Sequence, residues 1–87
     1  MADYSKSRGP YVEFGRHVEI RYRIDVLPRD AGYVAKPIDV VSVWKGVTHV
    51  TVSRQFREHR ASTEDEVIAT VRADVKRWAE AGAPDDD

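Results

Sequence analysis

From residue 17 to 26 the chain alternates without a fault: Val18, Ile20, Tyr22, Ile24 and Val26 hold one parity, and His17, Glu19, Arg21, Arg23 and Asp25 the other. A period of two sends these sets to opposite faces of a β-strand, so the pattern predicts one buried face and one wet face. Leu27-Pro28-Arg29-Asp30-Ala31-Gly32 then breaks the alternation with residues that supply the fixed or positive φ of turns, and a hairpin is expected there. Residues 33–44 read as the returning strand with a slip in phase: Ile38 and Val40 share a face, while Val41 and Val43 lie on the other. Pro37 has no N–H to give to a ladder, so this strand is expected at a sheet edge or bulged near its middle.

Lys45-Gly46 marks the next tight turn. Residues 47–57 are predicted as a third strand, with Val50, Val52 and Phe56 opposed to Thr51, Ser53, Gln55 and Arg57. Arg54 falls on the apolar parity and is expected at the rim, where that strand frays or bends. Ahead of the alternating strand, residues 11–14 read as a short edge strand joined to it by Gly15-Arg16, a two-residue loop whose leading glycine suits a positive φ.

After residue 61 the period changes. Val67, Ile68, Val71, Val75, Trp78 and Ala79 recur at three- and four-residue spacing, one apolar stripe on a helix. Thr63 with Glu66 fits a capping box, and Ser62 with Asp65 fits it equally well. Acids crowd the first turn and Lys76 and Arg77 the last, complementing the helix dipole, while Gly82 and Pro84 end it. The fold class expected is α+β: a three- or four-stranded antiparallel meander followed by one C-terminal amphipathic helix packed on one sheet face. That face is the one carrying Val18, Ile20, Tyr22, Ile24, Val50 and Val52, leaving the arginine-bearing side open. Residues 11–82 form a single domain in this reading, between a disordered polar tail at 1–10 and an acidic one at 83–87.

Composition narrows the chemistry. With 87 residues there is room for one core, and a chain this short gains from a second subunit. There is no cysteine, which removes disulfides, thiolate catalysis and sulfur-ligated metals. Residues 1–10 have no apolar centre of the kind a signal peptide needs, and no run approaches a membrane span, so a cytoplasmic protein without membrane contact is expected. Net charge is −1, but three of the fifteen acids are Asp85, Asp86 and Asp87; fourteen bases against twelve acids precede them, a balance of +2.

Catalytic patterns are absent from this reading. Ser42 and Ser53 lie in predicted strands with no nucleophile elbow, and Glu64, Asp65 and Glu66 stand where helix capping wants acids. His17, His49 and His59 lack the spacing of a metal site, although His17 and His49 share the wet parity and could approach across the sheet. No enzyme, metal, cofactor or small-molecule ligand is expected. The candidate contact residues are Arg21 and Arg23 on the open face, His49, the basic segment with Arg54, Arg57 and Arg60, and Trp44. Trp44, at a tight turn, either folds onto the core edge or stands out as a partner anchor.

Residues 18–80 resemble the HicB-like antitoxins in the turn ending at Gly32-Tyr33-Val34-Ala35 and in the Ser62-Thr63-Glu64-Asp65-Glu66-Val67 entry to a helix ending near Trp78. That resemblance implies a partial RNase H-like fold and a small ribonuclease toxin as partner. Where that family has a glycine-rich segment, this chain has Arg54 to Arg60. The functional expectation is a non-enzymatic binding or regulatory module working through protein contacts or self-association. The second reading is a weak nucleic-acid binder using Arg21, Arg23, Arg54, Arg57 and Arg60.

Overall fold

The computed structural model describes residues 6–44, 48–51 and 56–83, with backbone placement alone for 44 and 48–51. Five strands, β1 (Lys6–Phe14), β2 (Val18–Arg29), β3 (Gly32–Trp44), β4 (Thr48–Thr51) and β5 (His59–Ala61), precede one helix, α1 (Glu64–Glu80). The sheet is antiparallel with order β1-β2-β3-β4, and β5 also pairs with β3. The expected α+β meander with a C-terminal helix on the sheet is the observed architecture.

β2 behaves as its alternation requires. Val18, Ile20, Tyr22, Ile24 and Val26 are at most 5% exposed and pack in one cluster with Val67, Val71, Val75, Trp78 and Ala79 of α1. Arg21 and Arg23 lie on the other face. The helix begins at the threonine register: Thr63 accepts from the Glu66 backbone N–H at 3.1 Å. At the far end Ala81 is the C-cap and Gly82, at φ 93, is the residue after it. Ala83 N–H donates to the Trp78 carbonyl at 2.9 Å and Gly82 N–H to the Ala79 carbonyl at 3.0 Å. These two crossed bonds are a Schellman closure. It also draws Ala83 against the core, so Ala83 belongs to the folded unit and not to a tail.

Strand β1 starts at Lys6, five residues before the expected Tyr11. Lys6, Ser7 and Arg8 pair with Val26, Asp25 and Ile24, so residues 6–10 are not a tail. A register shift between Arg8 and Tyr11, at Gly9-Pro10, hides this half of the strand from a periodicity test. The β1–β2 loop is also built differently. The positive φ falls on His17 (φ 61) and not on Gly15. Gly15 is needed for proximity, because a Cβ there would overlap the Ala79 carbonyl, and Arg16 N–H donates to that same carbonyl at 3.1 Å. His17 thus leaves the strand at its turn.

The phase slip in β3 is a bulge. The register with β2 shifts between Arg21 and Arg23, opposite Asp39 at φ 52, a conformation aspartate tolerates better than most residues. Ala35 and Pro37 face the helix before it, Val40 and Ser42 after it. Ile38 and Val40 are therefore on opposite faces, against the expectation that they share one, and Val41 and Val43 join Ile38 on the open side. Of the predicted third strand at 47–57, β4 is the described part and pairs with Val41 to Trp44, while Phe56, Arg57 and Glu58 lie in no strand; β5, which pairs with Tyr33 to Ala35, lies beyond those bounds and is unexpected. Val52, Ser53, Arg54 and Gln55 fall outside the described residues. No described helix is long and apolar enough to cross a membrane.

Candidate interaction surface

The ladder assigns the open face row by row. Val12 of β1 pairs with Arg21 of β2, which pairs with Val41 of β3; Phe14 pairs with Glu19, and Glu19 with Val43. Farther along, Arg23 meets Ile38, Asp25 sits between Ser7 and Lys36, and Leu27 meets Val34. A column of charges on β2, Glu19, Arg21, Arg23 and Asp25, is thus flanked by apolar residues in the rows of Glu19 and Arg21 and by Ser7 and Lys36 in the row of Asp25. Val12 at 36% and Phe14 at 66% are the exposed large apolar side chains among the described residues. Val34 and Val43 are nearly buried, and Ile38 and Val41 are half-buried.

The two arginines predicted on this face are there, and both are engaged. Arg21 Nε pairs with Glu19 Oε2. Arg23 Nε donates to Ser7 Oγ at 2.7 Å. With Asp25 and Lys36 beside them, the charges nearly balance. Arg60 is exposed and pairs in register with Val34, at the end of the sheet where β5 lies. There it lines a shallow cleft of about 360 Å³ with Arg29, Asp30, Tyr33 and Ser62. Arg57 is exposed and outside any strand, beside Phe56, whose ring meets Trp78 edge-on at 5.3 Å. By register Arg60 shares the open face with Arg21 and Arg23, two rows beyond Arg23, whereas Arg57 lies outside the ladder. Arg54 and the side chains of Trp44 and His49 lie outside the described residues; the backbone pairs Trp44 with Val18 and Thr48, and His49 with Val43.

Beneath the helix lies a polar cluster that periodicity does not reveal. On β1 the inward residues are Tyr11 and Glu13, while Val12 and Phe14 point out, the reverse of the usual pattern. Glu13 is 6% exposed. It accepts from Tyr22 Oη at 2.7 Å and from Arg72 Nε at 2.8 Å, and the Arg72 guanidinium stacks over the Tyr11 ring at 4.9 Å. A buried carboxylate needs such partners, because an uncompensated one is costly. Burial first, then the hydrogen bond to Glu13, pushes the Tyr22 hydroxyl well above its ordinary value, and the bond to Glu13 raises Arg72. The cluster ties β1, β2 and α1 together as a structural clamp.

Two further side-chain contacts fasten the helix. Arg8 Nε meets Glu64 Oε2 at 2.6 Å, and that hydrogen bond lowers the Glu64 carboxyl and raises Arg8. His59 Nε2 lies 3.3 Å from Asp74 Oδ2. No group of three or more histidine and carboxylate side chains is placed to hold a metal among the described residues. No family model, no curated protein and no solved structure matches the chain, and none of these comparisons bears on the HicB-like resemblance.

Proposed function

We propose that this chain is a non-enzymatic binding module that works through protein contacts on its open sheet face. The observation that carries this is the placement of Val12 and Phe14: the two large apolar residues left exposed among the described residues stand together on one strand, on that face. Exposed apolar side chains grouped on one surface are what protein interfaces bury. The charges on the same face favour protein over nucleic acid. Arg21 is paired with Glu19 and Arg23 with Ser7, so phosphate would have to displace partners already in place.

The experiment is site-specific photo-crosslinking in cells, with the reactive residue at Phe14 on the open face or at Ala73 on the exposed side of the helix. Protein adducts are expected from position 14 and none from position 73. Equal yields from both positions, or none from 14, defeat the reading. Binding of duplex DNA or RNA with a steep fall of affinity in salt overturns it in favour of phosphate recognition.

A further inference from the structure

Two neighbouring rows of the open face are complementary to each other. One reads Phe14, Glu19, Val43 across β1, β2 and β3; the next reads Val12, Arg21, Val41. Both run apolar, charged, apolar, and the charges at their centres are opposite.

We propose that the occupant of this face is a second copy of the chain, docked about a two-fold axis that runs across the strands at the level of Ile20. This rests on the protein-binding reading of the same face and names its partner. Such an axis turns the two sheets face to face, reverses strand direction and keeps each strand over its own counterpart. The two rows are thereby exchanged. Phe14 falls on Val12 of the second copy, Val41 on its Val43, and Glu19 on its Arg21, each contact occurring twice as an isologous interface demands. The Glu19–Arg21 pair already formed within one chain then lies antiparallel to its equivalent, so every carboxylate has two guanidinium groups beside it.

Two other two-fold registers fail on charge. An axis centred on Tyr22 sets Arg21 against Arg23 of the second copy, and an axis running along β2 sets Glu19 on Glu19. Like charges brought together in an interface oppose association. An axis centred on Ile24 also joins opposite charges, Arg23 on Asp25 of the second copy, but Ser7 and Lys36 flank that aspartate where apolar residues flank Glu19 and Arg21. The register at Ile20 joins opposite charges and apolar neighbours together. Phe14, Val12 and Val41 carry the apolar contact, while Val43, only 6% exposed, forms the floor beneath it. Two rows by three strands is a small footprint, so the dimer is concentration-dependent.

The test is sedimentation equilibrium from micromolar to millimolar chain. The wild type is expected to rise from its monomer mass of 9.9 kDa towards twice that value. Glu19→Arg and Arg21→Glu, taken singly, each weaken self-association at least tenfold, since each sets like charges together. Mixed in equal amounts, they recover it as a heterodimer. The double variant, carrying both changes in one chain, recovers the homodimer. Both positions are on the open face, and circular dichroism checks that each variant is folded. A wild type that stays monomeric at millimolar concentration overturns the inference, and so does a mixture that fails to recover. A monomer whose position 14 still crosslinks a different protein loses the second copy as partner and keeps the binding face.

Discussion

β2 has two faces with opposite rules. On the helix side, five residues from Val18 to Val26 are at most 5% exposed and touch a stripe of valines, a tryptophan and an alanine, where shape and volume decide what fits. On the open side, Glu19 and Arg21 stand between apolar neighbours and Asp25 between Ser7 and Lys36, and charged side chains there pair side by side along the surface. Folding free energy is concentrated on the first face, which leaves the second free to vary with whatever binds it.

The sharpest way to break this comparison is one truncation on each side. Ile24→Ala, at a position with no exposure, should destabilise by about 2–5 kcal/mol, while Val41→Ala, half-buried on the open side, should cost less than about 1 kcal/mol. Urea unfolding at low chain concentration measures both. Similar losses at the two sites would mean that the open face is as much a core as the covered one.

The next largest effect concerns the polar clamp, which belongs to the covered face without being apolar. Glu13→Leu removes the acceptor of a buried hydroxyl and the partner of Arg72, and should cost about 1–3 kcal/mol. The clamp also sets a pH limit. The Tyr22 hydroxyl is raised above its ordinary 10.0 in the folded chain, so the neutral form is favoured by folding. Its contribution is complete below that ordinary value and is lost as pH climbs beyond it. Tyr22→Phe should therefore flatten the alkaline limb of the stability curve, followed by urea midpoints above pH 9; an unchanged limb would show that another group sets it. Glu64 acts in the opposite sense. Its carboxyl is lowered by Arg8, so that pair contributes above the ordinary carboxyl value of 4.5 and fades in acid, weakly because both groups face solvent.

The covered face was legible in the sequence and the open face only in part, for a reason visible in three places. Alternation in β2 and the three-and-four spacing of α1 report burial directly, because each side chain there obeys a single period. Asp39 shifts the parity of β3 by one residue, and no periodicity test locates a bulge formed by a left-handed aspartate. Lys6, Ser7 and Arg8 are held by a ladder and by the Arg8–Glu64 pair, long-range partners that composition cannot announce. Glu13 is the extreme case: it is buried because Tyr22 and Arg72, 9 and 59 residues away, converge on it. The arginines of β2 were placed on the right face, yet their pairing with Glu19 and Ser7 depends on rotamers and on β1. The reach of sequence reasoning ends where one residue's position is fixed by another's side chain.

Helix capping sits between the two faces and gives a smaller effect. Thr63→Ala removes the acceptor of the Glu66 N–H and should cost about 1 kcal/mol, read as a lower urea midpoint with an unchanged slope. A loss several times larger would show that the cap also holds the turn after β5.

The smallest expected effect bears most on the comparison. Phe14→Ser removes the most exposed large apolar group among the described residues, one that is 66% accessible in the monomer. An exposed side chain has little burial to lose, so unfolding free energy at low concentration should change by no more than about 0.5 kcal/mol. Self-association, in contrast, should fall well below that of the wild type, because the ring would be buried only when a second copy covers it. The two measurements separate in opposite directions: a large loss of monomer stability means the ring already packs within its own fold, whereas an intact monomer with weakened pairing assigns Phe14 to the surface between chains.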